Sequence, residues 1–124
     1  MTIGELSKAT GISEYTLRYY EKKGLIRVNR DSSGRRCYED GDIAWVAFIQ
    51  RLKETGMLLK DIKSYAVLRY NGDSTMPERL AMLKVHRSYV LEQQAKWADC
   101  LQNLDLKISL YKTAIEKASK ESEV

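Results

Sequence analysis

The chain has 124 residues, room for one ordinary domain or for a smaller domain with one long appendage, but not for two enzyme-sized units. With 44% apolar and 31% charged residues it is too hydrophobic for global disorder, and apolar runs such as Ile43 to Ile49 fall far short of the ~20 residues that span a bilayer. The formal charge is +4, and all of the excess lies in residues 1 to 70, which hold 13 Lys/Arg against 9 Asp/Glu, whereas residues 71 to 124 hold 8 of each.

A basic first part beside a balanced second part points to a polyanion-facing surface joined to something with a different job. The opening Met-Thr-Ile-Gly-Glu has no apolar core of a secretory signal, so a cytoplasmic protein is expected. Pro77 is the single proline, and with the strongest helix breaker so rare the expected fold is mostly α.

Thr2 can cap a first helix, Ile3 to Ala9, whose apolar residues Ile3, Leu6 and Ala9 recur at helical spacing before Thr10-Gly11 ends it. Ser13 is a cap for a second helix, with Glu14 in its first turn, running through Lys23 to a stop at Gly24. Two short helices joined by a tight glycine turn form a helix-turn-helix with the second helix in the recognition position. Leu25 to Val28 alternates as a strand does, a polar turn follows, and Arg35 to Tyr38 returns, which predicts a hairpin. Beside a helix-turn-helix such a hairpin is a wing. Arg30, Arg35 and Arg36 at its tip suit phosphate contact, because guanidinium groups stay charged and donate bidentately.

Asp40 or Asp42 can cap a third helix through Thr55, with Ile43, Val46, Ala47, Ile49 and Leu52 as its inward stripe and Gly56 as its stop. A fourth helix is expected over Lys60 to Tyr70, with Ile62, Ala66 and Leu68 or Arg69 turning around it before Asn71-Gly72. Asp73 to Glu78 then carries a polar cap, a proline in the first turn and an acid, the marks of a helix start.

From there to Ala118 neither glycine nor proline occurs, which predicts a helix of about 41 residues, roughly 60 Å long and too long for a small domain to cover. Positions 80, 83, 87, 90, 94, 97, 101, 104, 108, 111, 115 and 118 alternate three and four apart, the register of a coiled-coil seam, and ten of the twelve are apolar. Leu80, Leu83, Val90, Trp97, Leu101, Leu104, Ile108, Tyr111 and Ile115 are therefore the expected dimer interface, interrupted by Arg87 and Gln94. The expected organisation is a DNA-binding head over residues 1–72, a dimerisation helix over 75–118 and a short tail over 119–124. With six residues after Ala118, a separate effector domain is not expected.

Cys37, Cys100 and the lone His86 are dispersed, so they make no structural zinc site, which needs about four such ligands, and free thiols are expected in a reducing compartment. No Ser/His/Asp set, paired carboxylates or phosphate loop occurs, and no metal, cofactor or catalytic residue is expected.

Ile3-Gly4-Glu5-Leu6-Ser7, Gly11-Ile12-Ser13, Thr16-Leu17-Arg18-Tyr19-Tyr20-Glu21-Lys22-Lys23-Gly24-Leu25-Ile26, Arg36-Cys37-Tyr38 and Phe48-Ile49-Gln50-Arg51-Leu52-Lys53-Glu54-Thr55-Gly56 together resemble the MerR family of transcriptional regulators across residues 2 to 70. The resemblance implies a winged helix-turn-helix dimer whose long helices pair antiparallel. Its heads would bind a pseudo-palindromic promoter operator and distort the DNA so that RNA polymerase is affected indirectly. By family position Arg18, Tyr19 and Tyr20 fall at recognition-helix contacts, Arg36 and Tyr38 at wing contacts and Lys53 at a backbone clamp, with Tyr15 and Thr16 on the exposed first turn. One of Tyr19 and Tyr20 is expected to face the core.

The cysteines of the metal-sensing members are replaced here by Ser74-Thr75-Met76 and Ser119-Lys120-Glu121-Ser122-Glu123-Val124. In overall plan the chain is similar to the short aldehyde-responsive members, although Arg51 stands at their sensor cysteine and Leu58 at a usual capping serine. The alternative is a coiled-coil adaptor whose basic head binds protein or nonspecific nucleic acid. The seam itself is testable: Leu104→Glu places like charges in an apolar layer and should convert a dimer to monomers in sedimentation, whereas a surviving dimer refutes the register.

Overall fold

The computed structural model describes residues 1–122 and divides into two units, residues 1–84 and residues from Val85 onward. In chain order the first contains α1 (Ile3–Thr10), α2 (Glu14–Lys22), β1 (Asn29–Arg30), β2 (Arg36–Cys37), α3 (Gly41–Glu54), α4 (Leu59–Tyr70), a 3-10 turn over Asp73–Thr75 and the first residues of α5 (Met76–Ser122). The second unit is the remainder of α5.

α1 begins with a capping box, in which the Thr2 hydroxyl accepts the Glu5 N–H at 3.1 Å and the Glu5 carboxylate accepts the Thr2 N–H at 3.4 Å. It ends at Gly11, whose φ of 72° lets the Gly11 N–H reach Ser7 O at 2.8 Å. The Ser7 hydroxyl donates to Ile12 O at 2.6 Å across that turn, and the Ser13 hydroxyl then accepts the Thr16 N–H at 3.1 Å to start α2. The tight α1–α2 corner is thus held by side chains that satisfy backbone groups the two helices leave open.

Leu6, Leu17, Tyr20, Leu25, Val46, Ile49, Ile62 and Ala66 form the centre of the core. The inward stripe of α3 differs from the expected one, because Trp45 joins Val46, Ile49 and Leu52 in burial while Ile43 and Ala47 are only half-buried. The Trp45 indole N–H donates to Leu25 O at 3.0 Å and its ring stacks on Tyr65 of α4 with centroids 5.8 Å apart, so a large aromatic is buried with its polar atom satisfied. Tyr65, rather than Leu68 or Arg69, completes the inward face of α4.

The wing is shorter than expected and shifted toward its tip. Leu25 and Ile26 are both buried, and consecutive residues cannot both face the core from a pleated strand. The Leu25 N–H instead bonds Tyr20 O at 2.9 Å and the pair plugs the core at the end of α2. Pairing is confined to Asn29 opposite Cys37 and Arg30 opposite Arg36. Asp31 organises the tip by accepting the N–H groups of Ser33 (2.8 Å) and Arg35 (3.0 Å), and Gly34 supplies φ 80°.

Neither aspartate caps α3 in the expected way: Asp40 occupies the cap position without a side-chain bond, while Asp42 accepts the Glu39 N–H at 2.9 Å. Leu58 gives α4 no side-chain cap. α5 runs on to Ser122, so residues 119–122 of the expected tail are helical, and residues 123 and 124 lie outside the described residues. No helix among the described residues is long and apolar enough to cross a membrane.

Ile49 is fully buried at the centre of α3. Ile49→Ala should lower stability by about 2–5 kcal/mol in urea unfolding at fixed protein concentration, and a loss below about 1 kcal/mol would place this side chain outside the core.

Candidate nucleic-acid interface

α2 has nine residues, and burial of Leu17 and Tyr20 turns the rest of its surface outward. Tyr15 is 79% exposed on the first turn, and Arg18 is exposed one turn on, 3.4 Å from the Glu14 carboxylate. Thr16 is half-buried with its hydroxyl accepting from Ser13 at 2.9 Å, so its Oγ1 is already engaged in the helix start.

Tyr19 is half-buried and has two cations near its ring, Lys23 with its ammonium 5.7 Å from the centroid and Lys53 at 6.0 Å. Lys53 also lies 5.4 Å from the Tyr20 ring, which brings the end of α3 against the recognition-position helix. Both aromatic faces attract the ammonium groups, and Lys53 keeps its exposed position at the rim.

The wing reaches α2 through Glu21. Its Oε2 accepts from Arg36 Nε at 2.7 Å and its Oε1 lies 3.7 Å from Arg30 Nη2, while Arg30 Nη1 donates to Gly34 O at 3.1 Å. The Glu21 bond, with its charge, holds the Arg36 guanidinium above the ordinary arginine pKa. Arg35 is exposed at the tip.

Two expected contact residues are placed elsewhere. Tyr20 is fully buried, and its hydroxyl donates to Gln50 Oε1 at 2.8 Å, so the inward tyrosine of the pair is Tyr20 and its surface role is withdrawn. Burial, then the nearby Glu54 charge, pushes its phenol above the usual value. Tyr38 is 3% exposed and its hydroxyl is enclosed without a hydrogen-bond partner among the described residues. Its backbone exchanges two bonds with Met1, at 2.8 and 2.9 Å, which draws the residue after β2 inward and removes it from the exposed wing set. Burial raises the Tyr38 phenol pKa first, and the Glu21 carboxylate adds to it.

Glu21 and Gln50 are the residues that sequence reasoning did not single out. Glu21 carried a signal: an acid in the last turn of a helix opposes the helix dipole, and such a residue needs a partner elsewhere. Gln50 had none, since its role depends on which tyrosine turns inward.

Among the expected seam residues Leu83 packs against the head core and Val90 is half-buried, whereas Leu80, Trp97, Leu101, Leu104, Ile108, Tyr111 and Ile115 are exposed, Trp97 by 74%. Both cysteines are exposed free thiols, and no group of three His, Cys, Asp or Glu among the described residues could hold a metal ion.

A capped helix pair with an outward aromatic and basic face, flanked by an arginine-bearing hairpin, is a winged helix-turn-helix of the DNA-binding class. The family described as MerR HTH family regulatory protein matches residues 1–66, and that described as MerR, DNA binding, matches residues 43–106. An uncharacterised HTH-type transcriptional regulator of Haemophilus influenzae is 40% identical over 91% of this chain and 84% of its own length. The regulator AdhR of Bacillus subtilis is 37% identical over 74% of this chain and 66% of its own length. A MerR family regulator from Listeria monocytogenes superposes with a TM-score of 0.91 at 31% identity, covering 99% of this chain and 94% of that one. HiNmlR, a MerR family regulator lacking the sensor domain and crystallised bound to promoter DNA, gives 0.79 at 40% identity, covering 91% and 90%.

The chain belongs to the MerR family. It is a MerR-type, DNA-binding transcriptional regulator, of a family that comprises regulators and not enzymes.

Arg18 is the outward cation at the centre of α2. Arg18→Ala should weaken binding to promoter DNA by about 1–3 kcal/mol in a titration at fixed salt, with the oligomeric state unchanged. Unaltered affinity would mean that another face of the head meets the DNA.

Proposed function

We propose that two copies of this chain pair antiparallel through the α5 seam and place their heads on a pseudo-palindromic operator within a promoter. The dimer bends and untwists the DNA between the heads, and RNA polymerase responds to the altered spacing of promoter elements rather than to a protein contact. The site of action is the cytoplasm, where the promoter is. The observation that carries this reading is the outward face of α2, with Tyr15 and Arg18 flanked by the wing arginines and Lys53, in a chain alike over most of its length to a regulator crystallised on promoter DNA.

Within that reading Tyr15, Thr16, Arg18 and Tyr19 face the groove and its walls, while Arg35, Arg36 and Lys53 take phosphates. Arginine and lysine at the margins fit backbone contact, which dominates affinity, while a few central side chains read base edges. The run of exposed apolar side chains on α5 supports the pairing, because a solitary helix that leaves Trp97, Leu101 and Leu104 in water has no other source of stability along that stretch.

The experiment is a comparison of affinities for the chain's own promoter region and for a scrambled duplex at one salt concentration. The proposal expects a preference on the order of 10³-fold or more at physiological salt. Equal affinities would overturn it in favour of a basic adaptor head that holds nucleic acid without reading it.

A further inference from the structure

We infer that Glu21 is a positioning residue that fixes the wing against the recognition-position helix and thereby sets the discrimination between operator and random DNA; the inference rests on the operator-binding reading above.

Four observations carry it. The two strands of the wing are two residues each, too short to hold a hairpin in place by their own pairing. Arg30 and Arg36 are cross-strand partners, and like charges directly opposite one another push a ladder apart. Glu21 supplies one carboxylate oxygen to each, Oε2 to Arg36 at 2.7 Å and Oε1 to Arg30 at 3.7 Å, so a single acid offsets that repulsion and joins the hairpin to α2. The acid also stands in the last turn of α2, where the helix's own field works against a negative charge, so its place there is explained by the wing and not by the helix.

The geometry leaves the cations usable. Arg36 spends only its Nε on Glu21, and Nη1 and Nη2 make no protein hydrogen bond among the described residues, with the side chain 31% exposed. A guanidinium has five N–H donors in a planar fork, so Arg36 can hold the carboxylate through one edge and meet a phosphate through the other. A charge of −1 beside the wing also lowers the pull of any phosphate that arrives without the correct geometry. Removing it should therefore strengthen indiscriminate binding while loosening the wing, and the two effects act together to flatten discrimination.

Glu21→Gln keeps the shape and one acceptor oxygen but loses the charge; Glu21→Ala removes the tie, and Glu21→Gln carries the test should the alanine variant fail to fold. In the full-length chain, affinities are measured for the own-promoter duplex and a scrambled duplex across a salt series, together with amide hydrogen exchange of residues 29–37. For Glu21→Gln the expected result is faster exchange in the wing, scrambled-duplex affinity equal to or above that of the unaltered chain, and a promoter-to-scrambled ratio lowered by about fivefold or more. A smaller change in the ratio, or a lowered ratio with unchanged wing exchange, overturns the inference. An unaltered chain that binds both duplexes equally overturns the operator reading itself and is recognised before any variant is made.

Discussion

The head depends on the burial of Leu17 and Tyr20. A helix of nine residues has too few internal bonds to persist in water, so α2 exists because these two side chains are enclosed by the core while the Ser13 cap satisfies its first turn. Once that pair points inward, helical geometry leaves Tyr15 and Arg18 no alternative but the surface. The hydrogen bond from Tyr20 to Gln50 sharpens the constraint, because rotating α2 about its axis would break it and strand a buried hydroxyl. The outward face of α2 is in this sense a consequence of its inward one.

The same enclosure reaches the wing. Leu25 and Ile26 follow α2 directly into the core, and the Trp45 indole holds the Leu25 carbonyl, so the chain leaves the core at a fixed point only a few residues before β1. On the return side Tyr38 is drawn under the head and exchanges backbone bonds with Met1. The hairpin is anchored at both bases by apolar burial and at its middle by a carboxylate, with the exposed tip organised by Asp31 and by the Arg30 bond to Gly34 O.

Much of this was legible in the residues. Thr2, Ser13, Gly11 and Gly24 mark the ends of α1 and α2 because caps and left-handed turns are local chemistry, decided within a few residues. The wing was legible only as a hairpin: Leu25 to Val28 alternates like a strand, but its first two residues are claimed by a core that forms from α3 and α4, far along the chain. Tyr20 and Tyr38 were misplaced for one reason. A tyrosine serves a core and a phosphate surface equally well, and only the assembled packing decides between its ring and its hydroxyl. Family position implied contact for both, while the structure encloses both.

On the proposed reading, the acids of the head keep its basic excess from making it a uniform polyanion trap. Arg18 and Glu14 lie one turn apart on an exposed helix face at 3.4 Å, a pair worth under about 1 kcal/mol, so a phosphate can take Arg18 from Glu14 with little opposition. Glu21 differs in kind, since its side chain is only 25% exposed, its carboxylate approaches Arg36 to 2.7 Å and it serves two cations on a separate element. On the proposed reading one acid gives up its arginine on DNA contact, while the other keeps its arginines and orients them. Released charge supplies affinity at any sequence, whereas retained charge makes that affinity depend on geometry, and a regulator that must find one promoter among many sites needs the second as much as the first.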